Sequence, residues 1–208
     1  MKVIDIKSWN RKEHFEFFSA MASPYFGFTT EVECTVAYKK SREKGHSFFA
    51  AYLHASMIAV NAVAEMKLRI LDDNVVFYDI INAGTTIGRA DGTFGFAYIR
   101  FSEDFNTFNT ELQEEIAGVQ NSTGIRMNNG ELGKDLIRHS TIPWNSFSAI
   151  LHPTPLDRKE SVPKITFGKF TIRDGKYYLP VSVEAHHGLA DGFHLAKYLE
   201  EFQKQLAQ

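Results

Sequence analysis

Residues 176–193 read KYYLPVSVEAHHGLADGF, and this stretch decides the fold because it joins a strand to a helix. Aliphatic residues occupy every second position from Leu179 to Ala185, and this period of two predicts a strand over 176–185 with one buried face. The pattern changes after His186-His187-Gly188-Leu189-Ala190-Asp191-Gly192, since apolar residues then recur at helical spacing from Phe193. The motif therefore lies where a strand ends and a helix begins.

Before this strand, the Asp-Gly pair at 174–175 is a strong hairpin signal and predicts that 164–172 pairs with it. The polar segment 118–140 contains several glycines and predicts a long loop. No linker or repeat divides the chain, so we expect one domain over 1–208. The fold class expected is α+β, with a mixed, mostly antiparallel sheet covered by helices. Periodicity predicts helices at 8–22, 47–66, 102–117 and from Phe193, and strands at 28–36, 68–80, 93–101, 144–151, 164–172 and 176–185.

Composition excludes several classes of protein. The 208 residues are 44% hydrophobic and 23% charged, with a net charge of −2, which is typical of a globular protein. The balanced charge argues against a nucleic-acid or anionic-membrane partner. One cysteine, Cys34, excludes an intrachain disulfide and a cysteine zinc cluster. The 18 phenylalanines are enough for a large core, an aromatic pocket, or both.

The most apolar stretch tests whether the chain enters a membrane. Residues 48–66 are long enough to span a bilayer, but His54, Asn61 and Glu65 are among the polar residues that interrupt them. A central helix of a soluble protein has the same composition. The first residues after Met1 are strand-like and lack a basic region followed by an apolar core, so we expect no signal peptide and a cytoplasmic protein.

The histidine motif permits three interpretations on its residues alone. A histidine held at a strand end can act as a general base, because its ordinary pKa lies near neutral pH. Asp191 before a helix is also a natural N-cap, and the two histidines can be incidental surface residues. A metal site is the third interpretation, although the sequence indicates no third ligand.

The motif with its next residues, HHGLADGFH at 186–194, resembles the H-H-x-x-x-D-G-F-H signature of the chloramphenicol acetyltransferase family. Residues 8–16, SWNRKEHFE, resemble that family's N-terminal W-x-R-[KR]-E-H-F-E segment. Further matches fall in order at 68–79, Thr93-Phe94, Pro143-Trp144 and Ile165-Thr166. The H-H-x-x-x-D-G element alone is shared with dihydrolipoamide acyltransferase cores and peptide-synthetase condensation domains, and the N-terminal segment narrows the resemblance.

The resemblance implies a CoA-dependent acyltransferase fold and an acetyl-CoA-dependent O-acetyltransferase, of the kind that gives antibiotic resistance. It implies homotrimers with active sites at the subunit interfaces, direct transfer to the hydroxyl of a small molecule, and no metal. His187 corresponds to the family's general base. Asp191 and Arg11 correspond to a buried pair that supports the turn, and Thr166 to a threonine that holds a site water.

The chain departs from the family pattern where a serine donates to the oxyanion. Counting from Pro143-Trp144 places that position on Ala149, with Ser148 next to it. A shift of one residue in a strand turns the side chain to the other face, so Ser148 substitutes only if a bulge intervenes. Loss of one oxyanion donor costs about 10²–10³ in rate, and we expect poor transfer to chloramphenicol.

The expected substrate pocket also differs from the family's. Phe18 replaces a tyrosine, Phe94 is an expected pocket aromatic, and Lys164 replaces an apolar residue two positions before Thr166. Lys164 either reaches solvent along the surface or meets an acceptor with a carboxylate or phosphate, or CoA itself. Ala149 favours an alternative function, a non-catalytic descendant that binds small molecules or CoA. A dihydrolipoamide acyltransferase core is a third and more distant possibility.

Overall fold

We analysed a computed structural model of the chain, which describes residues 1–127, 133–155 and 159–208. The described residues form five α-helices, ten β-strands and one 3₁₀ helix. The helices are α1 (Lys12–Ser19), α2 (Thr35–Glu43), α3 (Phe48–Ala62), α4 (Phe105–Gln120) and α5 (Gly192–Leu206), with the 3₁₀ helix at Ala64–Lys67. The strands are β1 (Lys2–Val3), β2 (Tyr25–Glu33), β3 (Leu68–Leu71), β4 (Asn74–Phe77), β5 (Asn82–Gly88), β6 (Phe94–Ile99), β7 (Leu136–Ile142), β8 (Lys164–Gly168), β9 (Thr171–Arg173) and β10 (Lys176–His186).

The strands form one large and one small sheet. The large sheet has the order β2-β10-β8-β7-β5-β6, and β9 pairs with the beginning of β10. Its β5–β7 and β7–β8 pairs are parallel, and the other pairs among the described strands are antiparallel. The small sheet has the order β1-β4-β3. The predicted fold class, a mixed and mostly antiparallel sheet with covering helices, is confirmed.

Alternation along β10 separates the two faces of the large sheet. Val181 and Val183 are fully buried in the main core, where the sheet packs against α3 and α5. On β8, Phe167 points to the same side and contacts Phe202 of α5, with their ring centroids 5.7 Å apart. The intervening residues point away from the helices, and it is these residues that build the candidate site.

The hairpin before β10 forms as its sequence predicts. Asp174 and Gly175 have φ values of 50° and 74°, the left-handed conformation that an Asp-Gly turn supplies. Lys176 pairs with Arg173 directly across this turn. The strand predicted at 164–172 is divided into β8 and β9, which end and begin on either side of residues 169–170.

The strand predicted at 144–151 is wrong, since these residues, all described, form none. The strand lies earlier, as β7, and its first five residues occupy the end of the segment 118–140 that is predicted to be a loop. Residues 128–132 of that segment lie outside the described residues. Both edges of β7 are taken by β5 and β8, so the chain turns out of the sheet after Ile142 at Pro143-Trp144. A short apolar run in the sequence does not show whether a neighbouring strand has a free edge with which the run can pair.

Other boundaries also differ from the predictions. Helix α1 begins at Lys12, because the hydroxyl of Ser8 bonds the Asp5 carboxylate at 2.8 Å instead of capping a helix. The helix α2 and the strand β5 are absent from the sequence-based predictions.

No helix among the described residues is long and apolar enough to cross a membrane.

Candidate functional site

His186 is the last residue of β10 and is held as a structural residue. It is 1% exposed, and its Nδ1 accepts a hydrogen bond from the Gly188 N–H at 3.1 Å. Burial, with a smaller effect of neighbouring His187, lowers the pKa of His186 to about 4. A Cβ at Gly188 would lie 3.0 Å from the His186 ring, whereas Gly192 has open space around it. The turn is therefore tightly packed at Gly188 and not at Gly192. Because its pKa is lowered, His186 is neutral at pH 7.

The next residue, His187, presents its ring differently. The ring is stacked between Phe18, with centroids 3.8 Å apart, and Phe26, with centroids 4.1 Å apart. Its backbone N–H donates to the carbonyl of Pro24 at 2.8 Å. Nδ1 is buried and has no hydrogen-bond partner among the described residues, which leaves Nε2 as the accessible ring nitrogen. Two flat aromatic contacts thus fix the plane of an imidazole that offers one nitrogen to a substrate.

The structure brings Arg11 and Asp191 together directly after this turn. The Arg11 guanidinium donates to the Asp191 carboxylate at 2.7 Å and to the His187 carbonyl at 3.3 Å. Asp191 also caps α5, because its carboxylate accepts the Phe193 N–H at 3.1 Å. Burial alone would raise the pKa of Asp191, but the Arg11 hydrogen bond and the nearby charges of Arg11 and His194 hold it below its ordinary value. One carboxylate therefore fixes both the helix and the turn that carries His187.

A cavity of about 1020 Å³ lies at the parallel part of the large sheet. Residues of β5, β6, β7 and β8 line it, together with the segment that follows β7. Phe94, Lys164 and Thr166, all predicted as site residues, are among the lining residues. Neither His187 nor Phe18 belongs to the described residues that line it. The predicted site residues thus form two groups within one chain, one at the β10–α5 turn and one in the cavity.

Thr166 is the centre of a buried polar cluster in the cavity wall. Its hydroxyl lies 2.8 Å from Nε2 of His152, which reaches it from the segment after β7. Nδ1 of His152 lies 2.8 Å from Oε1 of Glu184 on β10. Glu184 is directly across the β8–β10 ladder from Lys164, whose Nζ is 3.8 Å from Oε2. Three elements, distant in sequence, therefore meet around one threonine hydroxyl.

Lys164 is buried and does not extend to solvent. Its side chain is 6% exposed, its ammonium contacts the Thr154 hydroxyl, and it lies 4.6 Å above the centre of the Tyr25 ring. Burial lowers the pKa of Lys164, and the carboxylates of Glu184 and Glu160 partly offset this effect. Of the two sequence alternatives, the structure excludes the solvent-exposed lysine and retains the one in the cavity.

A second charged pair lies beside Lys164. Arg138 of β7 is directly opposite Lys164 in the β7–β8 ladder and bonds Glu160 at 3.3 Å. Glu160 also accepts the Tyr25 hydroxyl at 3.4 Å. Sequence reasoning missed these partners, together with His152, Glu184 and Phe26. The available signal was the presence of charged residues within strands, with apolar neighbours on both sides at Lys164 and Glu184 and on one side at Arg138.

Ser148 and Ala149 lie away from the Thr166 cluster. Both are exposed in an irregular segment, so strand alternation does not determine where their side chains point. Ser148 lines a smaller cavity of about 390 Å³ with Thr29 and Glu31. Neither residue lines the larger cavity within this chain. Across the described ranges, no three His, Cys, Asp or Glu side chains are grouped as metal ligands.

Comparison with known proteins gives concordant results. The model of a family described as chloramphenicol acetyltransferase matches residues 1–203. A chloramphenicol acetyltransferase from Proteus mirabilis is 28% identical over 203 residues, which cover 97% of this chain and 93% of the relative. Chloramphenicol acetyltransferase 2 from Haemophilus influenzae is 26% identical, with 96% of this chain and 94% of the relative covered. The family resemblance predicted from the sequence is confirmed.

Solved structures agree with the sequence comparisons. A chloramphenicol acetyltransferase structure superimposes with a TM-score of 0.91 at 32% identity, and the match covers 99% of this chain and 100% of that chain. A probable dihydrolipoamide acetyltransferase from Listeria monocytogenes has a TM-score of 0.66 at 15% identity and covers 94% of this chain and 88% of its own. At 15% identity, the similarity to the dihydrolipoamide acetyltransferase shows a shared fold and nothing more.

Proposed function

The chain belongs to the chloramphenicol acetyltransferase family, and from this premise we propose that it transfers acetyl from acetyl-CoA directly to the hydroxyl of a small-molecule acceptor. The observation that carries the proposal is the His187 ring, whose plane is fixed by Phe18 and Phe26 while Nε2 stays accessible. The full-length similarity to proteins named chloramphenicol acetyltransferase supports the reaction class.

In the proposed reaction, Nε2 of His187 takes the proton of the acceptor hydroxyl as its oxygen attacks the thioester carbonyl. The tetrahedral intermediate then collapses, the C–S bond breaks, and CoA leaves with the proton from His187. General-base catalysis of this kind contributes roughly 10²–10⁴-fold to the rate. Arg11 and Asp191 are positioning residues, since they hold the carbonyl of His187 and the first turn of α5.

The complete site is proposed to form between copies of the chain, in a homotrimer. Within one chain His187 does not line the cavity that contains Thr166, so a hydroxyl in that cavity would meet His187 of the partner subunit. Large apolar side chains at the cavity are open to solvent in the single chain, and contiguous exposed apolar surface typically marks an interface. They include Leu151 at 92% exposed, Trp144 at 76% and Phe94 at 48%.

The proposed acceptor is a hydroxyl compound with a largely apolar body. Aromatic and aliphatic residues form much of the cavity lining, while Lys164 and Arg138 provide cations at one side. Glu184 and Glu160 already pair with these cations, so a carboxylate or phosphate on the acceptor would bind here by competing with one of these carboxylates. Chloramphenicol is the acceptor that the relatives' names indicate, and Ala149 is expected to slow transfer to it.

A second candidate function is non-catalytic binding of CoA or a small molecule. The observation that favours it is the position of Ser148 and Ala149, which leaves the larger cavity without the side-chain donor that the family serine supplies. One acetyltransferase domain over 1–208 is also proposed. The cytoplasmic location, a contribution to antibiotic resistance and the absence of a metal stay predictions.

Release of free thiol from acetyl-CoA separates the two functions. The acceptors are chloramphenicol, simple alcohols and hydroxy acids, and the proteins are the wild type, His187→Ala and His14→Ala. His14 is an exposed histidine on α1 and serves as the matched control. We expect acceptor-dependent release in the wild type and the control, and a loss of about 10²–10⁴-fold in His187→Ala, in a protein that stays folded by circular dichroism at the assay temperature.

Two results would contradict the proposal in different ways. If His187→Ala keeps the wild-type rate, His187 is not the base. If no acceptor stimulates thiol release while acetyl-CoA binding is measurable by calorimetry, the non-catalytic function is the correct one.

A further inference from the structure

Among the described residues, the hydroxyl of Thr166 has one hydrogen-bond partner, the ring of His152. Nε2 of His152 lies 2.8 Å from the Thr166 hydroxyl oxygen, within hydrogen-bond distance. Both side chains are almost fully enclosed, and both line the large cavity. Nothing in the family resemblance assigns a function to residue 152, which lies in the irregular segment that follows β7.

The far side of the His152 ring faces a carboxylate. Nδ1 lies 2.8 Å from Oε1 of Glu184, although the contact is off the line of an ideal hydrogen bond. The Lys164 ammonium lies 3.8 Å from the other carboxylate oxygen and helps to hold Glu184 in place. A bare nitrogen lone pair at this distance from a carboxylate oxygen would be repelled, so Nδ1 carries hydrogen. The Lys164 ammonium already supplies a positive charge to Glu184, and a second cation beside it would be repelled, which favours the neutral ring with hydrogen on Nδ1 alone.

The position of that proton determines what Thr166 can offer to the cavity. In a neutral ring with Nδ1 protonated, Nε2 is an acceptor only. The Thr166 hydroxyl must then donate its one hydrogen to His152. Its oxygen is left with lone pairs, so Thr166 can only accept a hydrogen bond from a group in the cavity.

We propose that His152 and Glu184 are positioning residues that direct the Thr166 hydroxyl proton away from the cavity, so that Thr166 acts in the site as a hydrogen-bond acceptor. The group that it holds is a donor: a water or an acceptor hydroxyl. A water held in this way donates one hydrogen to Thr166 and can donate the other to the oxyanion. Ala149 has no hydroxyl with which to make that second hydrogen bond. The catalytic consequence rests on the proposed acetyl transfer, whereas the proton position does not.

The proton position is tested first, by nitrogen NMR of the wild-type protein with ¹⁵N-labelled histidine rings. The His152 signals are identified by their loss in His152→Gln. We expect a neutral ring with hydrogen on Nδ1 and none on Nε2, and a shifted Nε2 resonance in Thr166→Val. A ring with hydrogen on Nε2, whether neutral or doubly protonated, overturns the proposal even if the enzyme is fully active.

The catalytic consequence is tested by kinetics with the fastest acceptor of the thiol-release panel. His152→Phe keeps the flat ring but makes no hydrogen bond, and we expect kcat to fall about tenfold with KM unchanged, a change equivalent to one net hydrogen bond. His152→Gln presents an amide oxygen that can accept from Thr166, and it should restore part of the rate. His54→Phe makes the same substitution at a buried histidine outside the cavity and should leave kcat unchanged.

The decisive comparison is a double-mutant cycle. Thr166→Val should lower kcat by a similar factor, and adding His152→Phe to it should cost less than twofold more, because His152 acts through Thr166. Additive losses, or a His152→Phe variant that changes only the melting temperature, would mean that His152 is structural. If the wild type itself releases no thiol with any acceptor, the proposed function fails, and the NMR result alone decides the proton position.

Discussion

The two faces of the large sheet are made by alternate residues of the same strands, yet they differ in kind. On the helix-covered face, Val181 and Phe167 are fully buried among the side chains of α3 and α5. On the other face, Glu184, Lys164 and Thr166 form a polar cluster beside a large cavity. The first face is completed by the chain's own helices. The second has charged pairs inside and exposed apolar side chains at its edge, which is the composition of a binding surface.

The difference shows that burial serves two purposes in this molecule. Apolar burial stabilises the helix-covered face, at about 25 cal/mol per Å² of surface removed from water. Buried ion pairs such as Lys164–Glu184 gain little net stability, because removing both charges from water costs about as much as their attraction returns. The neighbouring Arg138–Glu160 pair is more open, since the Arg138 side chain is 40% exposed. Lys164, Arg138 and Glu160 line the cavity, so their charges lie where a bound molecule would meet them.

The largest expected effect concerns the apolar edge of the cavity face. Leu151→Glu places a charge where the proposed trimer excludes water, so the trimer should dissociate and acetyl transfer should fall at least about 100-fold. Light scattering with the thiol-release assay checks this. Val36→Glu, on α2 at the helix-covered side, is the matched control and should remain trimeric. If Leu151→Glu is an active monomer, the cavity face is not an interface that activity requires, and the proposed difference between the two faces is wrong.

A core substitution tests the stability of the helix-covered face. Phe167→Ala should lower the free energy of unfolding by about 3–5 kcal/mol, because it leaves a cavity among Tyr52 and Phe202. Thr166→Val, at the neighbouring position on the opposite face, should cost less, about 1–3 kcal/mol, because it leaves Nε2 of His152 without its hydrogen-bond partner. Urea unfolding of both variants provides the measurement. Equal losses would show that the two faces contribute alike to stability.

The Arg11–Asp191 pair supports the turn that leads from the sheet to α5. Arg11→Ala should cost about 2 kcal/mol, less than the 3–5 kcal/mol of a fully buried pair, because the Asp191 side chain is 32% exposed. Asp191→Ala should cost a similar amount, and the double variant less than the sum. Thermal or urea unfolding measures the cycle, and strictly additive losses would mean that the two residues are not coupled.

Each face also buries a histidine, and both make the fold sensitive to acid. Burial lowers the pKa of His186 to about 4 and that of His139 to about 3, against about 6.5 in the unfolded chain. Between these values the unfolded chain binds more protons, so stability falls as pH decreases below 6.5. Each histidine contributes at most about 1.4 kcal/mol per pH unit. Urea unfolding at a series of pH values from 7 to 4.5 gives the free energy of unfolding as a function of pH. In His186→Gln this free energy should fall less steeply with decreasing pH, by the equivalent of one bound proton. An unchanged pH dependence would contradict this.

The smallest expected effect concerns the aromatic contacts of His187. Phe18→Leu keeps an apolar side chain but removes one stacked ring, so kcat/KM should fall roughly 2–10-fold, equivalent to the 0.5–1.5 kcal/mol of an aromatic contact. Phe17→Leu is the control: the exposed Phe17 ring contacts the edge of Phe18, and this variant should have a smaller effect. If both variants behave alike, the stacking does not orient the base.

Local signals in the sequence predicted the parts of the molecule that depend on neighbouring residues. The hairpin at 174–175, the strand β10 and the helix α5 follow from turn chemistry and periodicity over a few residues. The strand predicted at 144–151 failed because its place in the sheet depends on β5 and β8, which occupy both edges of β7. No local pattern encodes that occupancy.

The candidate site divides in the same way. The motif at 186–192 and its pairing with Arg11 were available from sequence through the family resemblance. His152 and Glu184 were not, because they come together across 32 positions of chain and through the pairing of β8 with β10. A charged residue in a strand with apolar neighbours is a local signal, but only the fold identifies the partner of each charge.

The separation of His187 from the cavity of its own chain has a genetic consequence under the proposed assembly. Each site would draw its base from one copy and its cavity from another. A copy without His187 and a copy with a blocked cavity are each inactive alone, but a mixed trimer of the two contains sites built from the intact half of each. Co-expression of two defective alleles would therefore restore activity, and a single defective allele would impair the sites of its normal partners.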